Sequence, residues 1–93
     1  MSVLDSIIEG VREDLASRRV SMAQISEALD SAPKVRDPLA TLLKNEISLI
    51  AEVKRSSPSK GRFASILDPA TLAEKYASAG ATMVSVLTER RRF

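Results

Sequence analysis

The feature that most constrains this chain is the order of its last three predicted elements: an apolar run, a helix and a second apolar run. Residues 47–54 and 81–87 are short, partly β-branched and bounded by turn residues, so both are predicted strands. Between them, Asp68-Pro69 is a typical helix start, and Gly80 is typical of the position just after a helix. Such a unit pairs its strands in parallel. Because parallel sheets are covered on both faces and two strands cannot form one alone, the pattern indicates the start of a larger α/β protein.

The N-terminal part of the chain is predicted to be helical. From Ser2 to Arg19 the apolar residues recur at spacings of three and four, which predicts one amphipathic helix. Ser21 and Gln24 form a capping-box pattern that opens a second helix. The residues expected to form the buried face of this second helix are Met22, Ile25 and Leu29.

The chain is expected to have two parts. Asp37-Pro38 has the same cap-and-proline pattern as a helix start, and it predicts one further short helix before the first strand. We therefore expect a helical extension over residues 1–45 and a strand–helix–strand unit over residues 46–93.

Composition narrows the chemistry that is open to the chain. Its 93 residues include no Cys and no His, so disulfides, thiolate sites and the commonest neutral-pH base and metal ligand are excluded. Any catalysis must therefore use carboxylates, lysines or hydroxyls. The formal net charge of +2 gives no reason to expect nucleic acid or a membrane as a partner. The N-terminus lacks signal-peptide features, so a cytoplasmic protein is the default expectation.

Glu52 and Lys54 are the first candidates for chemistry. They are two residues apart near the end of the first predicted strand, so their side chains share one face. If this strand lines a (β/α)8 barrel, both side chains enter the barrel mouth at the carboxyl end, where the active sites of such barrels lie. The plain alternative is an edge strand whose solvent-facing side carries an ordinary charged pair, because most charged side chains are solvated.

The segment that contains this pair favours the first interpretation. Residues 50–61 read IAEVKRSSPSKG, and this segment closely resembles the first barrel strand and following loop of indole-3-glycerol-phosphate synthases, whose pattern is approximately I-A-E-x-K-x-x-S-P-S-x-G. The resemblance also covers the N-terminal helices and continues through Asp68-Pro69, Ala79-Gly80-Ala81, the run from Val84 to Glu89, and Phe93. It implies an α/β fold, a truncated (β/α)8 TIM barrel made of the N-terminal helical extension and the first strand, helix and second strand.

The resemblance also implies a reaction and a set of site residues. The family converts 1-(2-carboxyphenylamino)-1-deoxy-D-ribulose 5-phosphate to indole-3-glycerol phosphate, CO₂ and water in tryptophan biosynthesis, as a carboxy-lyase without metal or organic cofactor. By resemblance, Lys54 binds substrate anions and takes part in proton transfer, and Glu52 pairs with it as a further acid or base. Ser57 and Pro58 border the substrate ring, and Phe93 gives it an apolar wall. Which group performs which proton transfer stays open.

Other interpretations remain at this point. Ser57-Pro58 also has ordinary turn chemistry, and Phe93 is open to the interpretation of a frayed terminus. A non-catalytic binding module would fit if the chain is complete at residue 93. The neighbouring phosphoribosylanthranilate isomerase reaction is disfavoured by the E-x-K-x-x-S-P-S pattern. Arg90 to Arg92 are too few basic residues to indicate nucleic-acid binding.

Length is the departure from the family. A whole barrel takes about 250 residues, and the resemblance places a second catalytic Lys, another catalytic Glu and most phosphate ligands on later strands. The chain alone is therefore expected to be inactive, and its unpaired strand edge predicts poor stability or aggregation. The expected partners are a phosphorylated small-molecule substrate and either the remainder of the barrel or another tryptophan-pathway enzyme.

Overall fold

A computed structural model describes residues 1–62 and 65–93 and divides the chain into two compact units, Met1–Arg36 and Asp37–Phe93. Within the described residues, none of the helices combines the length and the apolar character that a membrane crossing requires.

The first unit contains helices α1 (Val3–Ser17) and α2 (Met22–Asp30), and each begins with a capping box. The Ser21 hydroxyl accepts a hydrogen bond from the N–H of Gln24 at 3.2 Å, and the Gln24 side chain accepts one from the Ser21 N–H at 2.8 Å. The predicted start of α2 is thereby confirmed. Ser2 and Asp5 make the same reciprocal pair at the start of α1.

The expected buried face of α2 is wrong for this chain. Met22, Ile25 and Leu29 are 75%, 39% and 67% exposed. An amphipathic pattern shows which face of a helix favours apolar contact. It does not show whether the covering surface belongs to the same polypeptide, and in the described residues this face stays open to solvent.

The second unit begins with the short helix α3 (Leu39–Leu42). The Asp37 carboxylate accepts a hydrogen bond from the N–H of Leu39 at 2.9 Å, so it caps the helix as its position in the sequence predicts, although Pro38 is the residue at the backbone boundary.

The centre of this unit is a parallel strand pair joined by a helix. Strand β1 (Ile50–Val53) pairs with β4 (Met83–Val86) in parallel. Between them in the chain lie the two-residue strands β2 (Ser56–Ser57) and β3 (Gly61–Arg62) and the helix α4 (Pro69–Ser78). This confirms the predicted strand–helix–strand order, with strands shorter than the apolar runs. Asp68 caps α4 by accepting from the N–H of Ala70 at 3.1 Å.

The glycine after α4 adopts the backbone conformation that its position predicts. Gly80 has a φ of +105°, a conformation that L side chains rarely adopt and that glycine reaches at little cost. The chain can therefore leave α4 and turn directly into the approach to β4.

The two faces of the strand pair differ in burial. Val53 is only 2% exposed, and Ala51 and Val84 on the same face are half-buried. Because α4 contacts both β1 and β4, this burial pattern assigns the helix to that face. Apolar cover is confined to the carboxyl half of the predicted first strand, since Ile47 and Leu49 are 100% and 61% exposed. The opposite face carries Glu52.

Candidate active site

Glu52 and Lys54 meet at the carboxyl end of β1. The Lys54 Nζ lies 3.1 Å from Glu52 Oε1, and the two side chains are 32% and 42% exposed. An ion pair with this much solvent contact contributes little to stability, about 0–1 kcal/mol. Its importance lies in geometry: it holds an ammonium and a carboxylate side by side on the face opposite α4, where both stay accessible.

Ser85 completes this cluster from the neighbouring strand. The parallel register sets Ser85 beside Glu52, and its hydroxyl donates a hydrogen bond to Glu52 Oε2 at 3.3 Å. One carboxylate oxygen therefore meets Lys54 and the other meets Ser85, which limits rotation of the carboxylate. Ser85 is not among the site residues that the sequence pattern predicts. A polar residue inside an otherwise apolar strand was the available signal, but its partner depends on the register between the strands.

The segment after β1, which resembles a loop of the synthase family, forms a small hairpin. Strand β2 (Ser56–Ser57) pairs antiparallel with β3 (Gly61–Arg62), and Ser57 lies opposite Gly61. Gly61 has a φ of +65°, which explains a glycine at the start of the returning strand. The hairpin turns the chain back within a few residues of Lys54.

Ser57 and Pro58 lie in this hairpin and its tip. The Ser57 hydroxyl oxygen accepts a hydrogen bond from the Lys60 N–H at 3.2 Å and lies 3.5 Å from the Ser59 hydroxyl oxygen. In the turn, the Ser57 hydroxyl oxygen therefore acts as a hydrogen-bond acceptor. A serine hydroxyl also has one hydrogen to donate. Pro58 is exposed. The turn role and a ligand-binding role for Ser57 are chemically compatible.

A second connection runs from this hairpin to the segment after β4. The Ser56 hydroxyl donates a hydrogen bond to the Arg92 carbonyl oxygen at 2.8 Å in a partly buried setting. The Arg92 N–H donates to Glu89 Oε2 at 2.7 Å. Phe93 follows directly and is half-buried. Ser57 and Phe93 are thus the chain neighbours of two residues in direct contact.

Arg55 contacts the segment that precedes α4. Its Nε and Nη2 both donate to the Ile66 carbonyl oxygen, at 3.3 Å and 3.1 Å. The two residues that follow Lys54 therefore hold two different segments: Arg55 holds the approach to α4, and Ser56 holds the chain beyond β4. Glu52 and Ser85 lie in the carboxyl halves of β1 and β4, and the other candidate residues lie in the segments that follow these two strands.

The chain is similar in sequence to proteins of one known family. The sequence profile described as indole-3-glycerol phosphate synthase matches residues 4–93. The chain belongs to this family. An indole-3-glycerol phosphate synthase of Streptomyces griseus is 55% identical over 95 residues, covering 100% of this chain and 35% of the relative. Synthases of Paenarthrobacter aurescens and Mycolicibacterium vanbaalenii are 52% and 55% identical, over 100% and 99% of this chain.

The match with the synthase family covers only part of the length of the relatives. The chain spans about 35% of the length of the curated relatives that it matches, and the matched part is their N-terminal portion. Family membership therefore rests on nearly the whole chain, from the first helix through Phe93. The relatives extend well beyond the residues present in this chain.

Proposed function

We propose that this chain forms the N-terminal helical extension, residues 1–45, and the first β–α–β unit, residues 46–93, of a (β/α)8 barrel with indole-3-glycerol-phosphate synthase activity. The observation that carries the proposal is the 3.1 Å contact between Lys54 and Glu52 at the carboxyl end of β1. Barrel active sites lie at that end of the strands. Family membership supplies the reaction, and a cytoplasmic location stays a prediction.

The proposed reaction closes a ring and expels CO₂ and water. An aromatic ring carbon of 1-(2-carboxyphenylamino)-1-deoxy-D-ribulose 5-phosphate attacks the sugar carbonyl carbon, and the carbonyl oxygen takes up a proton as the C–C bond forms. The carboxylate then leaves as CO₂, and its bonding electrons return to the ring system. Loss of the new hydroxyl as water, with removal of a proton, restores aromaticity and yields indole-3-glycerol phosphate.

Lys54 is proposed to bind the substrate carboxylate and to take part in proton transfer to the developing hydroxyl. An ammonium can do both, since it is a cation with three donors. The Glu52 carboxylate keeps that ammonium oriented, and as an acceptor it is suited to take up a proton in a later step. Because Ser85 donates to the other Glu52 oxygen, the carboxylate cannot turn away from Lys54 without losing a hydrogen bond.

The substrate ring is proposed to lie between the hairpin and the segment after β4. Ser57 offers a hydrogen-bond donor and Pro58 an apolar edge on one side, and Phe93 forms an apolar wall on the other. The proposed ligand is thus a phosphorylated small molecule. The 93 residues alone are proposed to be inactive, because the resemblance assigns further catalytic groups to later strands.

A hybrid enzyme tests this proposal. In the hybrid, residues 1–93 replace the matching N-terminal third of the Streptomyces griseus synthase, and formation of indole-3-glycerol phosphate is followed by the fluorescence of the indole product. The expected result is activity comparable to that of the parent synthase. The Lys54→Ala variant should lose about 10²- to 10⁴-fold in turnover, as expected for a group that takes part in proton transfer.

Two further variants separate the roles of Lys54. Lys54→Arg keeps a cation, but a guanidinium stays protonated in proteins and is a poor proton donor. KM should therefore stay near the parent value, and kcat should fall. Lys75→Ala removes an exposed lysine of α4 and should leave both constants unchanged. Near-normal turnover by Lys54→Ala would show that Lys54 is not a catalytic residue.

A further inference from the structure

The backbone of Arg92 is held from both sides by side chains distant from each other in the sequence. Its carbonyl accepts from the Ser56 hydroxyl at 2.8 Å, and its N–H donates to Glu89 Oε2 at 2.7 Å. The Glu89 contact is local, spanning three residues, whereas the Ser56 contact spans 36. The Ser56 contact joins the Arg92 backbone to the hairpin after β1, and the Glu89 contact holds the same residue within the segment after β4.

Burial makes these contacts more than incidental surface hydrogen bonds. Ser56, Glu89 and Arg92 are all half-buried. Within the described residues, Glu89 Oε1 and Arg92 Nη1 are buried and have no hydrogen-bond partner. A carboxylate with one oxygen buried has little freedom to move its other oxygen to water. Loss of the Ser56 hydroxyl would leave a partly buried carbonyl unpaired, which costs more than loss of an exposed contact.

The held residue directly precedes Phe93. Consecutive Cα atoms are about 3.8 Å apart, so the position of Arg92 limits where the Cα atom of Phe93 can lie. On the other side, Ser56 directly follows Arg55 and precedes Ser57, within two residues of Lys54. The hydrogen bond between Ser56 and Arg92 therefore joins the hairpin that contains Ser57 to the segment that ends in Phe93.

We propose that Ser56 and Glu89 are positioning residues that set the place of Phe93 relative to Ser57 and Lys54. The kinetic part of this inference rests on the proposed synthase function, in which Phe93 contacts the substrate ring. Ser56 and Glu89 are not proposed to touch the substrate; both act through the backbone of Arg92.

The kinetic test uses the hybrid enzyme. Ser56→Ala should raise KM by roughly 3- to 10-fold, the range that loss of one hydrogen bond produces, with kcat nearly unchanged because the apolar wall contributes to substrate binding. Ser56→Thr keeps the hydroxyl and should restore KM. Ser78→Ala, which removes an exposed hydroxyl on α4, is the matched control and should have no effect.

A double variant shows whether Ser56 acts through Phe93. In a Phe93→Ala background, Ser56→Ala should add nothing further to KM, because the ring that it positions is gone. Independent, additive effects of the two substitutions would overturn the positioning role. So would a Ser56→Ala enzyme with the KM of the parent hybrid.

Amide hydrogen exchange of residues 89–93 in the same hybrid decides the structural part without reference to activity. Ser56→Ala and Glu89→Ala should each speed exchange at Arg92 and Phe93 by roughly 3- to 10-fold. Glu89→Gln, which keeps an acceptor oxygen, should stay close to the parent. Unchanged exchange in Ser56→Ala overturns the proposal. A parent hybrid without synthase activity would overturn the proposed function instead, and the exchange rates would still decide whether Ser56 and Glu89 hold this segment.

Discussion

The two compact units of this chain are organised by different kinds of contact. In Met1–Arg36, the hydrogen bonds at the helix starts join residues three apart, as in the Ser21–Gln24 capping box. In Asp37–Phe93, two contacts of the candidate site join residues far apart in the chain: Glu52 and Ser85 are 33 apart, and Ser56 and Arg92 are 36 apart.

This difference separates what can form locally from what must be assembled. A capping box forms as its own helix forms, because both partners belong to the same turn. The Glu52–Ser85 contact exists only after the chain has passed through α4 and returned in register. The ordered site therefore depends on tertiary structure more than the helix starts do. Substitutions in the two units should differ in their effect on stability and on the site.

The largest expected effect concerns the 93-residue chain by itself. Val53 is the one hydrophobic side chain that the described part of the chain buries almost completely, and Ile47 is fully exposed. So small a core cannot offset the entropy of ordering the chain. We expect aggregation or a broad, non-cooperative thermal transition by circular dichroism, whereas the hybrid enzyme should unfold cooperatively. A sharp melt of the monomeric chain would contradict this.

A smaller effect is expected from the packing between α4 and the strands. Val53→Ala in the hybrid removes two buried methyl groups and should lower the free energy of unfolding by about 2 kcal/mol, from lost burial and the cavity left behind. Val35→Ala changes a side chain that is 89% exposed in the first unit and should stay within about 0.5 kcal/mol of the parent. Urea denaturation measures both, and equal losses would remove the contrast between the units.

The capping box of α2 tests the local side of the comparison. Ser21→Ala removes the acceptor of the Gln24 N–H and should cost about 1 kcal/mol, whereas Ser21→Asn, an equally good N-cap, should cost almost nothing. The loss should be confined to α2 in hydrogen exchange and should leave synthase kinetics unchanged. A change in KM would show that the first unit takes part in the site.

The smallest effect is a pH dependence that both units share. Hydrogen bonds to the carboxylate lower the pKa of Asp5, chiefly from the Ser2 side chain, and of Asp68, chiefly from the Thr71 side chain, below the ordinary value of 3.8. Since each folded pKa lies below the unfolded one, the stabilisation is present above pH 3.8 and is lost as the pH falls through the folded values.

NMR titration of the two carboxyl groups in the hybrid measures these pKa values. Ser2→Ala should raise the pKa of Asp5 alone, and Thr71→Ala that of Asp68 alone, because both contacts are local. Cross-effects between the two positions would mean that the caps are not independent.

Several features of the fold and the site were predictable because they depend on short stretches of chain. The helix starts at Ser21 and Asp68, the turn at Gly80 and the strand–helix–strand order follow from side-chain chemistry within a few residues. The common face of Glu52 and Lys54 follows from the two-residue period of a strand. Family membership followed from the E-x-K-x-x-S-P-S motif and was confirmed over residues 4–93.

Other features were decided only by tertiary structure. The alignment of Ser85 with Glu52 requires the register of β1 against β4, and the contact of Ser56 with Arg92 requires two loops to meet after both strands are in place. The exposure of Met22 and Leu29 likewise depends on what surface is available to cover them. The physical reason is common to all three: a sequence pattern specifies what a residue can bind, and only the folded chain determines which partner stands within hydrogen-bonding or packing distance.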